Sequence, residues 1–117
     1  MDLRLADRKY LVFYLRVFDG TGNKILGHLV DISEKGVLLM TDELVALNEE
    51  HLLRLRLPAF IRDREEILLQ GTCRWCHKDT NSDFFLTGFQ IHDVDASTKE
   101  VIIHLMAELG YKEATIK

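Results

Sequence analysis

The 117-residue chain is about 47% hydrophobic, enough for one compact domain with one core and too little for a second. Its 15 Lys and Arg stand against 19 Asp and Glu, a formal net charge of −4. That weighs against a general nucleic-acid binder, which carries a basic surplus, but leaves room for an anionic small ligand held by local charge. Two cysteines, Cys73 and Cys76, are too few for a disulfide framework. No apolar run is long enough to span a membrane, and Met1-Asp2-Leu3-Arg4 opens without a secretory hydrophobic stretch, so a cytoplasmic location without membrane insertion is expected.

The chain begins with a small basic cluster, Arg4, Arg8 and Lys9, opposed by Asp2 and Asp7. On charge alone this reads as a solvated terminus. Residues 1–9 are expected to form a flexible arm, and residues 10–110 the folded domain. From Tyr10 to Phe18 aromatic and β-branched residues predominate, and Leu11, Phe13, Leu15 and Val17 share one face, which predicts a first strand. Asp19-Gly20-Thr21-Gly22-Asn23 is a turn that closes a hairpin onto a second strand, Ile25 to Ile32. After the turn Ser33-Glu34-Lys35-Gly36 a third strand runs to Thr41. Residues 42–50 are acidic and suit a loop or one helical turn.

Leu53, Leu55 and Leu57 alternate with Arg54 and Arg56 in a half-buried strand that Pro58 ends. A charged loop follows, with Phe60 and Ile61 at its apolar start. The fifth strand, Glu66 to Cys76, places Leu69, Gly71, Cys73 and Trp75 on one face and Gln70, Thr72 and Arg74 on the other. The sixth, Asp83 to His92, has Phe85, Phe89 and Ile91 in common. Six strands with short connections and one apolar face each predict an all-β fold, a six-stranded antiparallel β-barrel. The period then changes. Ser97 to Glu100 fits a capping box with Ser97 as N-cap. Val101, Ile102, Leu105, Met106 and Leu109 follow at helical spacing, and Gly110 is a stop. This C-terminal α-helix is expected to pack on the barrel, with residues 111–117 a loose tail.

Two short motifs carry the functional reading. Arg4-Leu5-Ala6-Asp7-Arg8 is an RxxxR before the first strand, and Asp31-Ile32-Ser33-Glu34-Lys35-Gly36 is a DxSxxG between the second and third strands. Each alone is weak: the second reads equally as a β-turn whose Asp and Ser satisfy backbone groups. Their order, RxxxR, strand, turn, strand, DxSxxG, strand, resembles the PilZ domain family. Cys73-Arg74-Trp75 and Gly88-Phe89-Gln90-Ile91 resemble its later pattern. The resemblance covers the chain up to Gly110. It implies a split-barrel type of fold with a C-terminal helix that binds cyclic dimeric GMP (cyclic di-GMP) on the outer barrel surface. It implies also that Arg4 and Arg8 contact phosphates and guanine, while Asp31, Ser33 and Gly36 shape the guanine site. The chain departs from many members in having Leu3 where they carry a further basic residue, and Asp7 lies inside the arginine motif.

The residue chemistry agrees with such a ligand. Asp31 and Ser33, two apart at a strand end, leave the same face, with Val30 and Ile32 directed to the core. A carboxylate accepts from the N1–H and amino group of guanine. An arginine fork matches O6 and N7, or a phosphate. Gly36 permits a positive φ and lets a ligand or the arm approach the backbone closely. Binding is expected to order the arm, at a cost on the order of 1–2 kcal/mol per fixed residue. The receptor would then act on an unidentified protein partner in trans, through the Phe60–Ile61 loop or the outer side of the helix.

Other signals are set aside. Cys73-Arg74-Trp75-Cys76-His77 matches CxxCH, but strand residues three apart face opposite ways, roughly 10 Å apart, and no export signal accompanies them. His28, His51, His77, His92 and His104 show no ligand spacing. Neither a metal, a cofactor nor an enzymatic nucleophile–base pair is expected. The competing readings are a PilZ-like adaptor that does not bind the nucleotide and, behind it, a small-barrel RNA-binding protein. Lack of basic residues interleaved with exposed aromatics counts against RNA or DNA. Oligomeric state is left open.

Overall fold

The structure is a computed structural model that describes residues 15–80 and 83–116, with side chains through residue 108. Six strands close into an antiparallel barrel, β1 (Arg16–Asp19), β2 (Ile25–Ile32), β3 (Gly36–Thr41), β4 (Glu50–Arg56), β5 (Glu66–Lys78) and β6 (Phe85–His92). Around the barrel the order is β1-β2-β3-β6-β5-β4. One helix, α1 (Ala96–Ile116), follows. This is the barrel with C-terminal helix that the alternation of apolar residues predicts. Residues 1–14, and with them the arginine motif and most of the expected first strand, lie outside the described residues.

Inward positions follow the two-residue period along each strand. Val17, Leu29, Leu39, Leu53, Leu55, Ile67, Leu69 and Phe89 meet in one buried core. Ile102 and Leu105 from α1 join it, so the helix closes the barrel with the stripe its spacing predicts. Burying two such side chains is worth roughly 1.5–3 kcal/mol each. A polar thread runs through the core. Thr41 Oγ1 donates to the Glu43 carbonyl at 2.9 Å, and Thr87 Oγ1 lies 3.0 Å from Thr41 Oγ1. Cys76 Sγ lies 3.2 Å from Thr87 Oγ1. A carbonyl only accepts, so the hydrogens run from thiol to Thr87 to Thr41 to carbonyl, and both fully buried hydroxyls are satisfied.

At three places an extra residue interrupts a ladder: Leu26 of β2 against β1, and two more that bear on the outer surface. In β2 the register skips from Leu29 to Asp31, leaving Val30 as a bulge. Leu29 and Val30 are both buried, and the phase of the strand reverses after them. Counted from Gly27 and Leu29 without the bulge, Asp31 would point inward; with it, Asp31 is exposed and Ile32 buried. In β5 the register skips from Cys73 to Trp75 with Arg74 between them. Trp75 therefore leaves the core face on which strict alternation places it, and turns outward. Cys76 turns inward against the core cluster, on the same side as buried Cys73, not opposite to it as the unbroken strand predicts.

The helix differs from expectation at both ends. Its N-cap is Asp95, not Ser97: Asp95 Oδ1 accepts from the Thr98 amide at 2.7 Å. These backbone and side-chain bonds with Thr98 hold the carboxyl below its ordinary range. Ser97 Oγ instead receives Arg64 Nη1 at 2.7 Å. At the other end the helix passes through Gly110 and reaches Ile116. The loop before β5 is no free apolar surface, since Phe60 packs against the core and lies 5.0 Å from the His104 ring.

Candidate functional site

The outer surface where β2, β3, β6 and β5 meet carries a groove of about 330 Å³. Asp31, Ser33 and Gly36 line one side, and Arg74, Trp75 and Gln90 the other, with Gly88 on the floor. Three residues that the sequence singles out are thus brought together. Arg4 and Arg8 lie outside the described residues.

Each wall is built by local backbone chemistry. The β2 bulge turns Asp31 outward, and its Oδ1 accepts from the next amide, that of Ile32, at 2.9 Å. A carboxylate offers about four acceptor positions, so capacity for ligand donors remains. Ser33 is the pin of the turn. Its Oγ accepts from the amides of Lys35 and Gly36, each at 3.2 Å, while its own amide donates to the Gly36 carbonyl at 2.8 Å. Its hydroxyl proton faces that same carbonyl at 3.4 Å. The serine side chain is therefore committed to holding the turn that presents Asp31. The Lys35 carbonyl, bonded by the Ile91 amide at 3.0 Å, moors the turn to β6.

Gly36 does not use the positive φ that glycine permits; among the described glycines only Gly20 has one. Its lack of a side chain serves close packing, because a Cβ there would sit 2.9 Å from the Phe89 carbonyl oxygen of β6. Gly88 serves the groove in the same way. The Trp75 indole lies directly over it, and a Cβ on Gly88 would meet the ring at 2.5 Å. Trp75 is 39% exposed, so an apolar face is offered to solvent above a glycine floor.

Arg74, the bulge residue, projects beside the indole. Its Nε donates to Gln90 Oε1 at 2.8 Å and its Nη1 to Asn48 Oδ1 at 3.2 Å. Two of its five N–H donors are thereby used and three remain. The groove thus holds a carboxylate on one side, and a guanidinium with an aromatic plane on the other. That arrangement can accept from a donor edge, donate to an acceptor edge or phosphate, and stack on a flat base. Arg74, Trp75 and Gln90 belong to segments whose sequence pattern is visible, but strict strand alternation sends Trp75 inward. The bulge is what assigns it to the site.

The cysteines take no part in this groove. Burial pushes the Cys73 thiol up, with nearby Cys76 adding to it, so it stays protonated and a poor nucleophile. Among the described residues no three His, Cys, Asp or Glu side chains gather at metal-ligand spacing.

The architecture is a small antiparallel barrel with a helix over its core and an outer groove beside a DxSxxG turn. Residues 2–108 match the family model described as PilZ domain, and the chain belongs to that family. Among solved structures it is similar to the Bacillus subtilis inhibitor of motility (MotI/DgrA), with a TM-score of 0.69 and 18% sequence identity. The match covers 85% of this chain and 48% of that one, so this chain spans about half that protein's length. Among curated proteins none matches. Among the described residues no helix is long and apolar enough to cross a membrane.

Proposed function

We propose that this chain is a cytoplasmic receptor for cyclic di-GMP, a binding module and not an enzyme, that signals to a protein partner when its arm closes over the occupied groove. The observation that carries this is the convergence of Asp31, Trp75 and Arg74 on one outer groove. Guanine has a donor edge for the carboxylate, an acceptor edge for an arginine and a face for the indole. The groove is at the small end of ligand pockets, roughly 300–1,000 Å³, so a dinucleotide fills it and extends beyond. Arg4 and Arg8 are the residues assigned to that remainder, on phosphate and guanine.

Titration calorimetry with cyclic di-GMP tests the proposal. The wild-type chain is expected to bind, Asp31→Ala to weaken binding at least tenfold, and Arg4→Ala or Arg8→Ala to abolish it without lowering the melting temperature. Wild-type protein that releases no heat with cyclic di-GMP, or arginine variants of unchanged affinity, would refute it. One observation favours the adaptor alternative: Leu44 and Leu47 of the β3–β4 connection, 68% and 61% exposed, line one surface depression with Trp75 of β5. Partner binding through that surface by a chain that ignores the nucleotide would establish the adaptor.

A further inference from the structure

The β3–β4 connection lies outside both motifs and does not line the groove, yet one of its residues, Asn48, bonds to Arg74, which does. Asn48 in this connection takes up a left-handed backbone conformation, φ 66°, which asparagine tolerates better than most residues. Its amide donates to the Cys73 carbonyl at 2.8 Å, and the Cys73 amide donates to the Glu49 carbonyl at 3.0 Å. The connection is therefore stitched to β5 at the residue immediately before the bulge. From that fixed point the Asn48 side chain reaches Arg74 Nη1, while Gln90 holds Nε from the opposite side. Arg74 is an exposed bulge residue. A free arginine there would spread over many rotamers, and that freedom would be lost on binding.

We propose that Asn48 is a positioning residue of the ligand site: with Gln90 it pins the Arg74 guanidinium so that its three unused N–H groups are preset for an acceptor pair of the ligand, a phosphate or the O6/N7 edge of a guanine. This rests on the cyclic di-GMP reading above. Asparagine suits the place because it combines tolerance of positive φ with an acceptor oxygen. A glycine would keep the backbone and lose the acceptor; an aspartate would keep both.

Asn48→Gly isolates the side chain, since glycine adopts this φ without strain and retains the amide bond to Cys73. Calorimetric titration with cyclic di-GMP is expected to show about tenfold weaker binding for Asn48→Gly, the ordering cost that a freed Arg74 side chain must meet on binding. In an Arg74→Ala background the same substitution should change nothing, because a residue that acts through Arg74 has nothing left to hold. In the free protein, relaxation of the Arg74 Nε–H should show more motion in Asn48→Gly and wild-type order in Asn48→Asp. Wild-type affinity in Asn48→Gly, or an equal loss with and without Arg74, overturns the proposal. Where Arg74→Ala binds too weakly to titrate, unchanged Nε–H order in Asn48→Gly overturns it instead. A wild-type chain that does not bind the nucleotide at all fails the receptor reading and this one with it. Binding by the wild type, indifferent to position 48, fails this one alone.

Discussion

Replacing Gly88 with alanine should damage the groove while sparing the barrel. The new methyl would lie 2.5 Å from two atoms of the Trp75 indole and 2.9 Å from a third. Bringing the closest pair out to ordinary contact near 3.4 Å requires the ring to lift by about 0.9 Å. The ring is partly exposed and can move, so the cost to folding is the lost contact beneath it. For roughly 40 Å² of apolar surface that is about 1 kcal/mol. The cost to binding is larger. Stacking a base on an aromatic ring is worth about 1–3 kcal/mol, and a lifted ring both loses that geometry and narrows the groove. Affinity for cyclic di-GMP should fall about tenfold to a hundredfold. Trp75 is the one tryptophan of the chain, so its fluorescence reports the ring without ambiguity. Gly88→Ala should shift the emission of the free protein and reduce its response to ligand, with a melting temperature only a few degrees lower. If emission and affinity both match the wild type, the indole does not rest on Gly88 in solution and its assignment to the site is wrong.

Gly36→Ala should act differently. Its Cβ would press on the backbone oxygen of Phe89, 2.9 Å away, and backbone cannot swing aside, so the β3–β6 ladder must open. A loss of about 1–3 kcal/mol is expected in urea unfolding, and unchanged stability with lost ligand binding would instead make Gly36 a ligand contact. His51 supplies a pH dependence. Its ring nitrogens lie 3.1 Å from Asp19 Oδ1 and 2.9 Å from Glu49 Oε1. Burial works against the charged ring, but hydrogen bonds to Asp19 and Glu49 and the field of both carboxylates outweigh it and raise the pKa above 6.5. The stability from protonated His51 is therefore complete below about pH 6.5 and is lost as pH rises through the higher folded value. The urea midpoint of wild type over His51→Gln should shrink from pH 6 to pH 9; a constant or growing difference would contradict the doubly bonded imidazolium.

Most of the barrel was legible because burial alternates with period two and the alternation is written in residue type. Leu53, Leu55, Ile67 and Leu69 could face only one way, and Ile102 and Leu105 could only serve a helix. The helix ends were less legible. Asp95 and Ser97 are both good caps, and the choice fell to Asp95 once Arg64 engaged Ser97. Phe60 looked like a surface residue of a charged loop until α1 came to lie beside it.

By itself the chain's order of residues determined the number of strands, the helix that follows them and the family, because each depends on local periodicity or on short motifs. Only the tertiary structure decided which outward positions form one site. A bulge exists through pairing: Val30 and Arg74 are extra only relative to the strands beside them, and nothing in their own identity marks them so. Those two unpaired residues reverse the phase of β2 and β5, and that reversal places Asp31 and Trp75 on the same outer groove.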